Sequence, residues 1–472
     1  LPIFRLIGCL YAQLDLGEIY APLKGLRYRF NFGPDFRYYR NGTFRNEESI
    51  SSEGKNRASL SNQSDFSWTL DNLIYYDKEF GKHSVGLTLL QSATGYHYEE
   101  SSMAAEGIPL ESAKWNALSK ENVSLLDEWN SGLIEKQLLS YMFRVNYDYN
   151  NKYLLTVSGR WDGASQLAEG NKWAFFPSAA LGWRLDQEEF LKDVTWLNQL
   201  KFRLGVGVTG NSAIDPYQTK GAIVSLYYPF GSALAPGYAA SEPLIKDGAV
   251  AMANKNLSWE KTTQYNIGLD YSVLNGRISG VLDFYTSRTT DLLMAMTIPS
   301  LNGYTNTYAN VGKTSNIGVD ITLNTVNVKT RDFEWSTSIN AAWQKDKIDE
   351  LANGKEDDIN NNWFIGQALG VIYGYECGGL WKEEDAAEMA KFNAKGHSFQ
   401  AGMVRPIDQN GDYKIDPNDD RVIIGHTRPR WTFGMTNTFT YKNFDLSVMM
   451  YGRFDYMVDT GGEWQGGRYM QR

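Results

Sequence analysis

Apolar and polar residues alternate with a strict two-residue period in many segments of the chain. In residues 139–149, the odd positions hold Leu, Tyr, Phe, Val, Tyr and Tyr, and the even positions hold Ser, Met, Arg, Asn and Asp. Successive side chains of a β-strand point to opposite faces, so such a strand has one apolar and one mostly polar face. The apolar face must contact either a protein core or a lipid bilayer.

Composition narrows the class of protein without choosing between core and bilayer. The 472 residues carry a net charge of -9 and no basic stripe, which makes nucleic acid an unexpected partner. No run of 18 apolar residues occurs, so no transmembrane helix is predicted, although barrel strands spread their apolar residues over alternate positions. Aromatic residues reach 14%, as expected for membrane-interface girdles but also for a sugar-binding protein. Two distant cysteines imply no disulfide framework.

Fourteen segments have the strand pattern, and they form seven consecutive pairs. The pairs are 9–18 with 26–36, 65–76 with 83–92, 136–149 with 152–161, 173–184 with 199–209, 262–273 with 277–286, 316–326 with 333–343, and 430–441 with 444–454. Most pairs are joined by short turns, such as Asn150-Asn151 and Leu274-Asn275-Gly276. Long connections separate the pairs, at 37–64, 93–135, 210–261, 287–315 and 344–429. Short turns at one end and long loops at the other are typical of outer-membrane barrels.

These features predict an all-β fold, an antiparallel transmembrane β-barrel with long extracellular loops and short periplasmic turns. Strands of about 10 residues suit a tilted bilayer crossing. The alternative is a soluble all-β protein, such as a tandem sandwich or a propeller, that is secreted or surface-exposed and binds glycans. The absence of a 20–50-residue sequence repeat counts against a propeller.

Several sequence blocks make the prediction more specific. In order along the chain they are GRWDGAS at 159–165, WAFFPSAALGWRL at 173–185, LKFR at 200–203, NLSWEKTTQYNIGLD at 256–270 and DQNGDYKID at 408–416. In these blocks and their order, the chain resembles SusC/RagA-type TonB-dependent transporters. No single block is decisive, but together they extend over most of residues 140–455.

The resemblance implies a barrel of about 22 strands with a plugged lumen. It also implies a TonB box facing the periplasm, a SusD-like lipoprotein on the extracellular side, and a dimer of the transporter–lipoprotein pair. Members of this family import oligosaccharides, and sometimes peptides, across the outer membrane of Gram-negative bacteria, with energy transmitted by TonB. The expected partners are therefore outer-membrane lipid, TonB, the lipoprotein and the nutrient.

This chain departs from the family pattern in extent. No plug, TonB box or aromatic-terminated last strand is recognised in it, and about 14 strands cannot close such a wall without leaving unpaired edges in lipid. Residues 1–472 are therefore expected to be the barrel portion of a longer transporter. The plug, the segment that contacts TonB and the C-terminal strands would lie outside this chain.

The sharpest local motif is a row of oxygen-bearing residues with EF-hand-like spacing. Its members are Asp408, Asn410, Asp412, Lys414 through its backbone carbonyl, Asp416 and Asp419. Such spacing suits Ca²⁺, which takes six to eight oxygen ligands. Two departures weaken it, because Tyr413 replaces the usual glycine and Asp419 replaces the longer glutamate. The alternative is an Asx-rich turn without metal; no other cofactor is expected.

Other loops contain candidate contacts for a nutrient. Carboxylates and an aromatic ring can bind and stack on a sugar, and the candidates are Asp357, Asp358, Trp363, Tyr227, Tyr228 and Tyr238. Solvated loop tips, or contact with the lipoprotein, are the alternatives. Residues 382–391 are predicted to form a short exposed helix.

Catalysis is not indicated. Only four histidines occur, His83, His97, His397 and His426, and none lies in a G-x-S-x-G or H-E-x-x-H motif. Nothing singles out a pair of glycosidase carboxylates. The chain is therefore predicted not to be an enzyme.

Overall fold

A computed structural model describes residues 3–50, 54–116, 118, 125–219, 224–230, 233–239, 251–299 and 306–458. The chain divides into two compact units. Unit 1 comprises Leu1–Trp183, Gly205–Thr263 and Asp291–Asn310, and unit 2 comprises Arg184–Leu204, Gln264–Thr290 and Val311–Arg472. Three strands have residues in both units, namely Trp173–Arg184, Leu197–Asn211 and Glu260–Val273. Among the described residues, no helix has the length and apolar character needed to cross a bilayer.

Unit 1 is built on antiparallel strands, of which the third to the eighth pair in chain order. They are β1 (Ile3–Ile7), β2 (Leu10–Asp15), β3 (Leu26–Arg45), β4 (Arg57–Phe80), β5 (His83–Glu106), β6 (Leu125–Tyr149), β7 (Tyr153–Ala164) and β8 (Trp173–Arg184, whose last residue belongs to unit 2). A four-residue helix, α1 (Leu16–Ile19), follows β2. Strands β1 and β2 both pair with the same edge of β3, and β3 to β8 follow one another across the sheet.

Eight further strands follow β8 along the chain, and the longest three have 13 to 15 residues. They are β9 (Leu197–Asn211, shared between the units), β10 (Val224–Phe230), β11 (Ala233–Ala239), β12 (Ala251–Met252), β13 (Glu260–Val273, also shared), β14 (Ile278–Thr290), β15 (Leu293–Thr297) and β16 (Asn306–Asn310). Strands β10 and β11 form a hairpin, and β12, β16 and β15 form a three-stranded sheet. A buried cluster in unit 1 contains Leu167, Phe176, Leu257 and Trp259.

Unit 2 continues the pattern with β14, β17 (Lys313–Lys329), β18 (Phe333–Glu350), β23 (Trp431–Tyr441) and β24 (Phe444–Phe454), each antiparallel to the next. Between β18 and β23 lie β19 (Val371–Tyr375), β20 (Cys377–Leu380), α2 (Ala386–Ala394), β21 (Val404–Pro406) and β22 (Arg421–His426). Strand β24 is the last strand of the unit 2 sheet in the part of the chain that the structure describes.

All fourteen predicted strands are present, and their turns have the predicted chemistry. Asn150 and Asn151 have φ of 56° and 54°, and Leu274, Asn275 and Gly276 also lie in the left-handed region. Such turns match the twist of a two-stranded hairpin, and Asn and Gly adopt them at low cost. The antiparallel all-β prediction is confirmed.

Two predicted long connections are wrong in extent. Residues 37–64 and 93–135 are largely paired strand, because the β3–β4 ladder continues to Arg45 and Arg57 and the β5–β6 ladder to Glu106 and Leu125. These extensions carry polar residues on both faces. The apolar–polar alternation therefore ends before the hydrogen-bonded ladder ends. The helix predicted at 382–391 starts later and is not fully exposed, since α2 buries Met389 and Phe392.

The apolar face of the long strands is exposed. In β7, Leu155, Val157 and Trp161 are each more than a third exposed, although each is an apolar or aromatic side chain. Across the sheet Val157 lies opposite Val145 and Ala179, so the apolar positions of neighbouring strands form one continuous surface. We call this surface the outward face and the opposite, polar surface the inward face.

Candidate functional site

The inward face carries paired charges. In unit 2, the Arg203 guanidinium donates to Asp270 at 2.8 Å and to Asp283 at 3.0 Å. Gly268 provides the space for this group, because a Cβ there would lie 2.5 Å from Asp283 Oδ1 and 2.6 Å from the guanidinium carbon. Asp320 lies directly opposite Asp283 on the next strand. The face therefore presents fixed charges with an excess of carboxylates at this point.

Unit 1 shows the same arrangement. Arg160 donates to Asp162 at 2.7 Å, and Asp65 accepts from both Arg37 and the Tyr96 hydroxyl. Asp162 and Asp65 are buried, so their charges are compensated by these donors. Ion-paired, hydrogen-bonded side chains on one face and apolar side chains on the other are what a wet interior and an oily exterior require.

The candidates Asp357, Asp358 and Trp363 lie together in one compact turn. The backbone N–H and C=O groups of Asp358 and Trp363 bond to each other at 2.8 and 2.9 Å. Asp358 caps the turn by accepting from the Asn361 amide, and Asp357 accepts from the Ile365 amide at 2.7 Å. Both carboxylates thus have structural partners, while the half-buried Trp363 ring is the aromatic surface of the turn.

The three tyrosine candidates lie on the β10–β11 hairpin. Tyr227 pairs with Pro236, Tyr228 with Ala235, and Tyr238 with Ser225. Their side chains lie outside the described part of the structure. Their role as nutrient contacts stays a prediction.

The candidate calcium loop is a series of Asx turns. Asp408 accepts from the Gly411 and Tyr413 amides, Asn410 from the Asp412 amide, and Asp412 from the Lys414 amide. Among the described residues, no three or more His, Cys, Asp or Glu side chains are grouped as metal ligands. A carboxylate has about four lone-pair sites, so the two N–H bonds accepted by Asp408 and the one accepted by Asp412 leave both able to bind an ion. Calcium binding at 408–419 stays a prediction.

Two features of this loop were not recognised in the sequence. Tyr413 adopts a φ of 62°, so the residue that replaces the usual glycine still makes the left-handed turn. Its ring packs edge-on against Phe392, and the Lys391 ammonium lies 4.8 Å from its centre. Asp420, rather than Asp419, closes the loop, since it is fully buried and accepts from the Gln409 and Asp416 amides.

The loop also holds one ion pair. The Lys414 ammonium donates to Asp416 at 2.9 Å. This bond, together with backbone N–H bonds from Asn418 and Asp419, lowers the pKa of the Asp416 carboxyl below its usual value. A metal ion that used Asp416 would have to displace this lysine.

A small aromatic core supports the loop. Trp381 packs against Phe392 and Phe399, and the Arg405 guanidinium lies 4.6 Å from the Trp381 ring while its other side bonds Glu388. His397 accepts the Ile415 amide at 2.9 Å. The loop is thus fixed to α2 and its neighbours by packing as well as by Asx turns.

The four histidines have structural partners. His83 bonds the Tyr147 hydroxyl, His97 lies between Glu99 and Glu135, and His426 bonds the Arg428 carbonyl. His397 has the role just described. These contacts account for the histidines without assigning chemistry to them.

Comparison with known proteins identifies relatives along most of the chain. A family model described as TonB dependent receptor-like, beta-barrel matches residues 13–472. A TonB-dependent receptor of Formosa agariphila is 32% identical over 450 residues, covering 92% of this chain and 44% of that relative. The TonB-dependent receptor SusC of Bacteroides thetaiotaomicron is 32% identical over 454 residues, covering 90% of this chain and 42% of SusC. The chain therefore spans less than half the length of these relatives.

A solved structure has the same fold. The RagAB peptide importer in its open-open state superposes with a TM-score of 0.77 at 22% identity, covering 96% of this chain and 48% of that one. At this identity the match shows the barrel fold alone. The SusC/RagA-type resemblance found in the sequence is confirmed by the two kinds of comparison together.

Proposed function

We propose a transport function from the premise that this chain belongs to the TonB dependent receptor-like, beta-barrel family. The protein that contains it would import oligosaccharides or peptides across the outer membrane of a Gram-negative bacterium. TonB would supply the energy, and a SusD-like lipoprotein would bind the nutrient at the extracellular side. The peptide class is supported by the peptide import stated for RagAB, and the oligosaccharide class by what the SusC/RagA-type resemblance of the sequence implies.

The observation that carries this proposal is the pair of opposite faces. The apolar positions of consecutive strands are exposed on the outward face, while the inward face carries ion-paired side chains such as Arg203 with Asp270 and Asp283. Large exposed apolar surfaces are rare on soluble monomers. A lipid-facing wall around a polar passage explains both faces, whereas a soluble glycan-binding protein does not explain the exposed apolar face.

Growth on single nutrients tests the proposal. A panel of oligosaccharides and peptide mixtures would be offered as sole carbon source to wild-type cells and to cells lacking this gene, the TonB gene or the neighbouring lipoprotein gene. We expect all three deletions to lose growth on the same nutrient. Growth that depends on this gene but persists without TonB would contradict active transport.

Within this function, we assign the Trp363 ring to nutrient contact. Its carboxylate neighbours Asp357 and Asp358 are engaged with backbone amides, so the ring is the part of the turn that can stack on a sugar or peptide group. We expect W363A to weaken uptake severalfold at low nutrient concentration, by loss of a contact of about 1 kcal/mol. The matched variant D358N, which alters only the turn cap, should leave nutrient affinity near wild type.

A further inference from the structure

A groove with more cations than carboxylates lies on the outward face of unit 2, where the apolar surface ends. Its volume is about 440 Å³, and its lining includes Arg288 on β14, Ser315 on β17, Lys347 on β18 and Lys355 just beyond β18, together with the carboxylates Asp349 and Glu350 at the end of β18. The chain as a whole has more acidic than basic residues, 55 against 46. A concentration of cations on the face that otherwise carries apolar side chains therefore needs an explanation.

Strand register fixes the height of this groove relative to the apolar surface. Three successive outward rows cross β14, β17 and β18, from the apolar surface towards the long-loop end: Phe284–Val319–Trp343, Thr286–Ile317–Lys345 and Arg288–Ser315–Lys347. The short turn between β17 and β18, at residues 330–332, lies at the opposite end of these strands. The outward residues thus change from apolar to basic within four residues on β14 and β18, and from apolar to the polar Ser315 on β17.

Aromatic side chains mark the transition. Trp343 lies opposite Trp431 on β23, with ring centres 6.4 Å apart. Tryptophans of a barrel form girdles at the level where hydrocarbon meets lipid headgroups. Four residues along a strand correspond to about 13 Å, less when the strand is tilted. Arg288 and Lys347 therefore lie about one headgroup layer beyond the tryptophan row.

The cations of the groove are available to a ligand. Arg288 and Lys355 of the groove, and Lys345 in the neighbouring outward row, make no ion pair within 4.0 Å to any residue that the structure describes. Lys347 contacts Asp349 at 3.1 Å but remains 53% exposed, and Glu350 is already paired with Lys313. Two or more cations can thus approach one anion without losing a strong internal partner.

A hydroxyl group completes the groove. Ser315 lies between Arg288 and Lys347 in register, and its Oγ is buried without a hydrogen-bond partner in the described part of the chain. A buried polar group without a partner is costly unless a ligand or water satisfies it. A hydroxyl donor flanked by a guanidinium and an ammonium is a suitable set for phosphate oxygens.

We propose that this groove binds the headgroup phosphate of an anionic glycolipid in the outer leaflet. Arg288 and Lys347 would contact the phosphate, the Ser315 hydroxyl would donate to one of its oxygens, and the acyl chains would lie along Phe284 and Trp343. The inference rests on the outer-membrane location in the proposed function. It adds a lipid site on the outside of the wall, distinct from any nutrient contact.

Lipid binding to the full-length protein that contains this chain tests the inference. The protein would be purified in neutral detergent, and binding of diphosphorylated lipid A would be measured by native mass spectrometry. Dephosphorylated lipid A and inorganic phosphate would be tested in parallel. We expect diphosphorylated lipid A to bind and R288Q/K347Q to weaken it about tenfold or more, as for loss of one charge-assisted contact. S315A should weaken it by a smaller factor without altering charge.

A matched variant separates the site from general charge. K382Q/K395Q removes two exposed lysines from the flanks of α2, which is not part of the barrel sheet, and should bind lipid as wild type does. Equal lipid binding by R288Q/K347Q and by wild type would overturn the inference. So would equal binding of dephosphorylated lipid A, or displacement of the lipid by millimolar inorganic phosphate, which would indicate a site for free phosphate. Nutrient uptake, measured on the same variants, tests the transport function separately.

Discussion

Asp420 is the residue on which the 408–420 loop depends most directly. Its side chain is fully buried, and both carboxylate oxygens accept backbone N–H groups, from Gln409 and from Asp416. In D420N, an amide NH₂ would face one of these N–H donors, leaving it unsatisfied at a cost of about 1–3 kcal/mol. We expect faster cleavage between residues 371 and 426 when the full-length variant is digested with limiting protease in EDTA.

The neighbouring D419N is the control for this change. Asp419 is exposed, and its backbone N–H, which the substitution retains, donates to Asp416. In EDTA, D419N should therefore be cleaved at the wild-type rate. Cleavage of D420N at that same rate would show that the buried carboxylate does not hold the loop.

The D419N variant also tests whether the loop binds calcium. If Asp408, Asp412, Asp416 and Asp419 ligate Ca²⁺, added calcium should slow cleavage of the wild-type loop, and D419N should lose most of that protection. The measurement is the ratio of cleavage rates with calcium and with EDTA. A ratio near one for the wild-type protein would remove calcium from this site.

Residue spacing predicted the Asx turns of this loop but not the residue that closes it. Asx turns are local, so the Asp408–Asn410–Asp412 spacing is sufficient to indicate them. The burial of Asp420 is a tertiary property that residue spacing does not report. The packing of Tyr413 against Phe392 is also tertiary, because the two residues lie 21 positions apart. The same packing holds Tyr413 in a left-handed conformation that the sequence alone counts as a defect.

At the scale of elements, one close contact between a glycine and an aromatic ring constrains the position of strand β9. Gly210 on β9 has no room for a side chain, because a Cβ there would lie 2.1 Å from a ring carbon of Phe176. Phe176 is buried and packs edge-on against Trp259 at 5.3 Å, so its ring cannot simply turn away. We expect G210A to destabilise this end of unit 1 by about 1–3 kcal/mol.

Gly207 on the same strand provides the comparison. A Cβ at Gly207 would meet only the Ser178 Cβ, at 3.4 Å, so G207A should be close to neutral. Both variants would be unfolded by denaturant in detergent, with tryptophan fluorescence as the signal. Equal midpoints for the two alanine variants would mean that the Phe176 ring relaxes at no cost.

Element positions were predictable where the determinants are local. The two-residue period and turns such as Asn150-Asn151 define a hairpin without reference to the rest of the protein. The far ends of β3 to β6 were not predictable in this way. In these ends both faces of the strands carry polar residues, so the periodic signal disappears although the ladder continues as far as Arg57 and Glu106.

At the scale of the molecule, the structure shows which face of the strands carries the apolar residues of the alternation and which face carries the polar ones. Its apolar positions are exposed and continuous across strands, and its polar positions carry charges paired across the inward face. A basic row with Arg288 and Lys347 follows the tryptophans Trp343 and Trp431 on the outward face. Oily surface, aromatic row and cationic row occur in the order expected along a membrane normal.

Substitutions at two adjacent positions of β7 test whether the outward face contacts lipid and the inward face contacts water. Val157 is 37% exposed on the outward face, and its neighbour Thr156 lies on the inward face, where it bonds Asn146 at 2.9 Å. In lipid, arginine at position 157 should cost about 2–4 kcal/mol, whereas arginine at 156 would enter a wet lumen. We expect V157R to reduce the amount of folded full-length protein in outer-membrane fractions, and T156R to assemble normally. In a soluble protein an exposed V157R would be harmless, so normal assembly of both variants would contradict a lipid-facing surface.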